Sequence, residues 1–232
     1  MSEKKTIVLI GGSYGIGAAL AQLLLDKSYD VYVLSRSAPT TVGTKHITLD
    51  VQTASIDLSQ LPGKIDGLAY LPGSIQLKPF HRFTNEEFLQ DLNINVLGAA
   101  KCVRDLLNPL KAAEQSSIVF FSTVAVQQGM PFHASVAMAK GALEGLTRSL
   151  AAEFAPKIRV NAIAPSITDT PLASKILSSE DKKKVSGERH PLKRVGEARD
   201  IAQAAAYLLT DESSWISGQV IHVDGGLSAL RV

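Results

Sequence analysis

Two groups of residues in this chain have the types and spacing to do chemistry. The first is the run Gly11-Gly12-Ser13-Tyr14-Gly15-Ile16-Gly17. It follows an apolar stretch, Thr6–Ile10, and opens a segment in which Ile16, Leu20, Leu23 and Leu24 recur at helical spacing. Glycines at a strand-to-helix turn let the backbone approach a pyrophosphate, whose charge then sits at the N-terminus of a helix. About twenty residues further on, such a fold sets a side chain against the adenine ribose. An acid there would bind the 2′-hydroxyl and repel a 2′-phosphate. This chain has Ser35-Arg36-Ser37 and no acid. A guanidinium grips a phosphate bidentately, so the sequence predicts NADP(H) over NAD(H), with Ser13 adding a hydroxyl to the same phosphate.

The second group is scattered along the chain: Asn95, Ser122-Thr123, His133 and Lys140. It combines an amide, two hydroxyls, an imidazole and an ammonium, the groups that orient a substrate oxygen and move a proton to it. The position four residues before Lys140 is Val136, an aliphatic side chain with no proton to give.

The elements that must position these residues follow from the apolar patterning. Strands are expected at 6–10, 31–34, 46–49, 67–71, 117–121, 159–163 and 219–223. The first is continuously apolar, as buried parallel strands are. Helices are expected from Ile16, from Thr84 through Leu107, from Lys140 through Phe154, and over 200–209. Thr84 with Glu87 three residues on has capping-box form. Alternation of this kind predicts an α/β fold, a Rossmann-like doubly wound parallel sheet in three α/β/α layers, as one domain over residues 1–232. Residues 167–192 lack a strong pattern and are expected to form a mobile lid of short helices over a site.

Composition narrows the function classes. The chain has 232 residues, 45% hydrophobic and 20% charged, enough to bury a sizeable core. A net charge of +2 implies no nucleic-acid role. The single cysteine, Cys102, excludes an intrachain disulfide framework and reads as a small core residue. No signal-peptide pattern and no apolar run of about 18 residues appears, so a soluble, cytoplasmic protein with no membrane partner is expected. No metal site is predicted. Lys182-Lys183-Lys184 reads as a solvated helix face or a seat for an anionic carrier.

In this order and spacing, the motifs resemble those of the short-chain dehydrogenase/reductase family over essentially the whole chain. The glycine loop matches through Gly11, Gly15 and Gly17. Asp50-Val51 is similar to the pair that contacts adenine, and Gly73 falls in the turn after the fourth strand. Asn95-Val96-Leu97-Gly98 resembles the segment whose asparagine holds a relay water. Thr123 and Lys140 fall at the family's hydroxyl and lysine positions. Pro165, Ile167 and Thr170 resemble the loop that covers the nicotinamide, and Val223-Asp224-Gly225-Gly226 the closing motif. The resemblance implies a homotetramer or homodimer built through residues 91–110, residues 140–154 and the last strand.

Three departures stand out. Tyr70-Leu71-Pro72-Gly73 replaces an asparagine-rich motif, Ser166 replaces a glycine after Pro165, and Val136 replaces the tyrosine that donates the proton. Three explanations of Val136 are open. His133, seven residues before Lys140, can stand in as donor, at the longer spacing used by the enoyl-acyl-carrier-protein reductases that the stretch 133–143 resembles. Tyr70 and Tyr14 are further hydroxyls with a structural reading. Alternatively, the substrate needs less acid, as an enoyl thioester does, its enolate oxygen being held by hydrogen bonds from Thr123 and a ribose hydroxyl that Lys140 orients. Finally, the chain can bind the cofactor without turnover, as a sensor or oligomer partner. The expected function is thus NADP(H)-dependent hydride transfer to or from a small carbonyl, alcohol or enoyl substrate, with a silent dinucleotide-binding protein as the alternative.

Overall fold

The computed structural model describes residues 4–231; Met1-Ser2-Glu3 and Val232 of the expected domain lie outside the described residues. Seven parallel strands form one sheet in the order β3-β2-β1-β4-β5-β6-β9. These are β1 (Thr6–Ile10), β2 (Asp30–Ser35), β3 (Lys45–Thr48), β4 (Gly67–Tyr70), β5 (Ser116–Phe121), β6 (Ile158–Pro165) and β9 (Val220–Val223). Helices α1 (Gly15–Asp26) and α6 (Ala198–Leu209) cover one face, α3 (Gly98–Ala112) and α4 (Ala134–Phe154) the other.

β1 shows why the strands read as unbroken apolar runs. Ile7 and Leu9 join the core under α1 and α6, whereas Val8 and Ile10 join the core under α3 and α4. All four have no exposed surface. A strand covered on both faces has no side that tolerates a polar residue. The chain leaves β1 toward β2 on one side and returns to β4 on the other. That reversal opens a crevice beyond the carboxyl ends of β1 and β4, where ligands bind in open α/β sheets.

Several expectations are corrected. The helix bearing Lys140 does not open there; it begins at Ala134. Phe132 has φ of +70°, which blocks extension backward, and the run Ala134 to Lys140 holds several good helix formers and no glycine or proline. Val136 and Lys140 are therefore one turn apart on a single helix. Residues 167–192 hold the expected short helices, a 3₁₀ turn at Pro171–Ala173 and α5 (Glu180–Glu188). The segment is nonetheless tied at its base. Strand β7 (Thr168–Asp169) pairs in parallel with β8 (Gly196–Glu197), and Lys183 bonds Asp169 at 2.5 Å. That ion pair points one lysine of the 182–184 run at the protein's own carboxylate. Between β2 and β3 the chain forms no helix.

The capping box at Thr84 is present in both directions and opens α2 (Asn85–Leu92). The helix then passes through a π turn, Asn93–Leu97, into α3. A π turn leaves backbone carbonyls without their usual partners. Two side chains satisfy them here. Asn95 Nδ2 donates to Asp91 O at 2.8 Å, and the Tyr70 hydroxyl donates to Ile94 O at 2.6 Å. Tyr70 is 1% exposed, and burial raises its pKa far above the usual phenol range. It is a structural hydroxyl and holds the bend that carries Asn95. Cys102 is buried as expected, its thiol pushed up to about 12 by desolvation.

Candidate active site

The crevice is a cavity of about 450 Å³. Its wall brings together the predicted Gly11, Ser13, Tyr14, Gly15, Ile16, Arg36, Asp50, Val51, Gly73, Thr123, His133, Lys140, Pro165, Ile167 and Thr170, with Val136 among them. Asn95 alone of the predicted set is not in the wall: it is fully buried behind it.

At one end of the cavity, Gly11 and Gly15 adopt left-handed φ of +82° and +57°. A Cβ on Gly17 would lie 2.7 Å from both Gly11 O and Gly12 Cα. The loop therefore folds back on the first turn of α1 at a distance only glycine permits. Tyr14 caps α1 with no side-chain hydrogen bond, so the amides of the first turn keep their capacity for an anion. Nearby, Ser37 Oγ donates to Ser13 Oγ at 3.2 Å, and Arg36 is exposed, with no hydrogen bond or ion pair among the described residues. Two hydroxyls and a guanidinium thus share one rim.

At the other end, Lys140 is buried and its ammonium donates to Phe121 O at 2.7 Å. Burial in apolar surroundings pushes its pKa down to about 8, against the opposing charge of Asp91. A Cβ on Gly73 would come within 3.2 Å of Asn95 Oδ1 and 3.4 Å of Lys140 Nζ. One corner thus holds the lysine, the asparagine and a residue with no side chain. Asn95 Oδ1 is the one buried side-chain acceptor without a partner among the described residues. Buried acceptors of that kind are rare and point to a group supplied from outside the chain. Thr123, in extended conformation at the end of β5, accepts the Ala125 amide at 3.3 Å, which leaves its hydroxyl proton for the cavity. Ser122 is not available: it donates to Glu144 Oε1 at 2.7 Å. His133 precedes α4, half-buried, with Nδ1 2.7 Å from Pro131 O. A carbonyl only accepts, so Nδ1 carries the proton.

Two features escaped the sequence. Asp91 is fully buried and accepts from Ser74 Oγ and Ser135 Oγ, each at 2.5 Å; Ser74 also accepts from Asn95 Nδ2 at 3.0 Å. This network ties α2, the turn after β4 and the start of α4 together behind Lys140. Its signal was present but faint: Asp91 and Asn95 are four apart and fall on the inward side of an otherwise apolar-facing helix. The other feature is His190, buried at the end of α5, with Nε2 2.8 Å from Ser166 Oγ and Nδ1 2.9 Å from Ser186 O. Nothing in the local sequence announces a pair 24 residues apart.

The cavity fits a nicotinamide dinucleotide: a loop whose Gly17 has no room for a side chain, an uncapped helix N-terminus, a basic rim, and a lysine and an asparagine with bonding capacity to spare.

Comparison with known proteins agrees with that fit. A family model described as Enoyl-(Acyl carrier protein) reductase matches residues 11–228. The chain is 41% identical over 172 residues to a tropinone reductase homologue of Arabidopsis thaliana, a match covering 73% of this chain and 65% of that protein, just under two thirds of its length. It is 32% identical to the 3-oxoacyl-acyl-carrier-protein reductase of Bos taurus, over 96% of this chain and 98% of the relative. Among solved structures, the ligand-free aldohexose dehydrogenase of Thermoplasma acidophilum superposes with a TM-score of 0.88 at 28% identity, covering 99% of this chain and 96% of that one. ElxO with NADP bound superposes at 0.87 and 26% identity, over 98% and 100%. The fold is thus shared with reductases and dehydrogenases, and the chain belongs to the short-chain dehydrogenase/reductase family of oxidoreductases.

Proposed function

We propose that the protein is an NADP(H)-dependent oxidoreductase acting on a small carbonyl, alcohol or enoyl substrate. The observation that carries this reading is the meeting, in one cavity, of the glycine loop and Arg36 at one end with Lys140 and Thr123 at the other, the Asn95 acceptor lying buried behind them. A reduced nicotinamide, when bound, supplies the hydride. The chain's own residues do the rest. Lys140 has N–H groups left after its bond to Phe121 O and holds a ribose hydroxyl. Thr123 donates to the substrate oxygen. Asn95 Oδ1 accepts from a water or from the lysine. Val136 leaves an apolar wall where a donor would stand, and His133 is the imidazole on the same wall. Enoyl and 3-oxoacyl substrates, named for the family model and one relative, suit a site with weak acid and good hydrogen-bond donors. We place the protein in the cytoplasm, as a homodimer or homotetramer formed through α3, α4 and β9, with residues 167–192 closing over bound substrate.

Arg36 decides the cofactor. Charge-assisted hydrogen bonds contribute about 1.5–3 kcal/mol. Arg36→Ala should therefore weaken NADPH by roughly tenfold or more, with NADH unchanged, as read by fluorescence titration of both cofactors. Equal affinity for NADPH and NADH in the wild type, unmoved by the substitution, would remove the NADP(H) assignment.

A further inference from the structure

The Ser166–His190 pair has a property that none of the other pocket groups has. The carbonyl of Ser186 can only accept, so His190 Nδ1, 2.9 Å away, carries a proton in every state of the ring. Nε2 then has two options toward Ser166 Oγ at 2.8 Å. In the neutral ring Nε2 accepts, and the Ser166 hydroxyl points at the imidazole. In the imidazolium Nε2 donates, and the Ser166 proton is released to point elsewhere. The heavy atoms need not move between the two. Only the hydroxyl turns, and Ser166 lines the cavity directly after Pro165, the same cavity that Thr123, Val136 and Lys140 line.

The pair is also firmly held. His190 is 3% exposed, and Gly225 lies beside it, a Cβ there coming within ordinary contact of the ring at 3.5 Å. Gly225 adopts φ of +62°, and its carbonyl accepts the Leu192 amide at 3.2 Å. The Ser166 carbonyl is fixed by the Thr168 hydroxyl at 2.9 Å. Ser166 stands where the family resemblance expects a glycine, so the hydroxyl is a departure of this chain, as Val136 is.

We propose that Ser166 and His190 form the proton relay that replaces the missing tyrosine, with Ser166 as the catalytic donor to the substrate oxygen and His190 as its proton source. This deepens the oxidoreductase reading and rests on it. As the carbonyl is reduced and the nicotinamide oxidised, the substrate oxygen gains negative charge. Its O–H bond forms as the Ser166 Oγ–H bond breaks. Ser166 Oγ takes the proton from His190 Nε2, leaving a neutral ring that solvent recharges. In the oxidative direction each transfer runs backward.

The test uses Ser166→Ala and His190→Gln, with NADPH and three probes: acetoacetyl-coenzyme A, crotonyl-coenzyme A and cyclohexanone. Each variant is expected to lower kcat by about 10²-fold, with KM and NADPH affinity within a few-fold of wild type. The double variant should lose little more than either single one, because the two act as a unit. A second readout needs no turnover. Nitrogen-15 spectra of the cofactor-free protein, recorded across pH, should show that the neutral form of His190 is the Nδ1–H tautomer, with an Nε2 signal that moves in Ser166→Ala. Ser166 is only half-buried, so its variant decides the matter even if His190→Gln fails to fold. Undiminished kcat in Ser166→Ala, or a neutral His190 protonated at Nε2, would overturn the relay; so would loss of kcat confined to His133→Gln. A wild type that reduces none of the probes would instead count against the oxidoreductase reading, while the spectra still judge the pair.

Discussion

Lys140→Met is expected to lower turnover by on the order of 10²-fold or more while leaving the fold intact. Methionine fills a similar volume in the buried site, so the cavity wall keeps its shape. What is lost is a cation at the corner shared with Asn95 and Gly73. Stability should move the other way. The folded lysine has its pKa pushed down to about 8, whereas the unfolded one titrates near 10.5. Below about pH 8 both states hold the proton, and burial of the ammonium costs the fold its full penalty, on the order of 3 kcal/mol. Between about 8 and 10.5 the unfolded state holds more of the proton, so stability from this group rises with pH. Removing the charge therefore stabilises most near neutrality, against the loss of one hydrogen bond to Phe121 O. Thermal melts should show Lys140→Met at least as stable as wild type at pH 7, with its advantage shrinking by pH 10. A variant that melts well below wild type at pH 7 would show that the ammonium is structural.

Gly17→Ala should have the second large effect, and its sign is informative. Glycine to alanine inside a helix ordinarily stabilises, by up to about 1 kcal/mol. Gly145, in the middle of α4 with nothing within 4 Å of a new Cβ, should behave that way. Gly17 is also helical, but its Cβ would meet backbone on two sides at 2.7 Å, so the loop or the helix must shift. A cost of about 1–3 kcal/mol is expected, together with a loss of NADPH affinity of at least tenfold. Measuring melting temperature and cofactor affinity for both alanines separates the two cases. Equal behaviour would mean that the loop's close approach is not what binds the cofactor.

The fold was legible because both faces of the sheet are covered. Two-sided burial forces unbroken apolar strands such as Thr6–Ile10, and helices must then alternate with them. Boundaries moved by a few residues where caps decide them, most at α4, whose start is fixed by the backbone of Phe132 and not by the apolar stripe. The glycine loop of the proposed cofactor end was legible for a related reason: its close approach to the helix tolerates no side chain at Gly17, and that requirement is written in the sequence itself. The proton-transfer end was not. Tyr70 reads as a free hydroxyl until the π turn at Asn93–Leu97 shows the carbonyl it satisfies. Asp91 reads as one more helix carboxylate until Ser74 and Ser135 close on it. Ser166 and His190 meet only because β7 and β8 pair and the Asp224-Gly225-Gly226 turn packs behind the ring. Pairs formed by tertiary packing have no period to read.

Val136 first looks like a defect in an active site. The lysine, the threonine hydroxyl and the asparagine acceptor are intact, and the Ser166–His190 pair lines the same cavity. These groups support the proposed reading of an enzyme with a relocated donor. The most direct measurement is transfer of deuterium from NADPH labelled at nicotinamide C4 to acetoacetyl-coenzyme A, crotonyl-coenzyme A or a ketone panel, read by mass spectrometry of the product. The expected result is one deuterium in the product from one face of the cofactor, lost in Lys140→Met. Tight NADPH binding with no deuterium in any product would contradict it, and would make this chain a dinucleotide-binding protein that has given up the reaction.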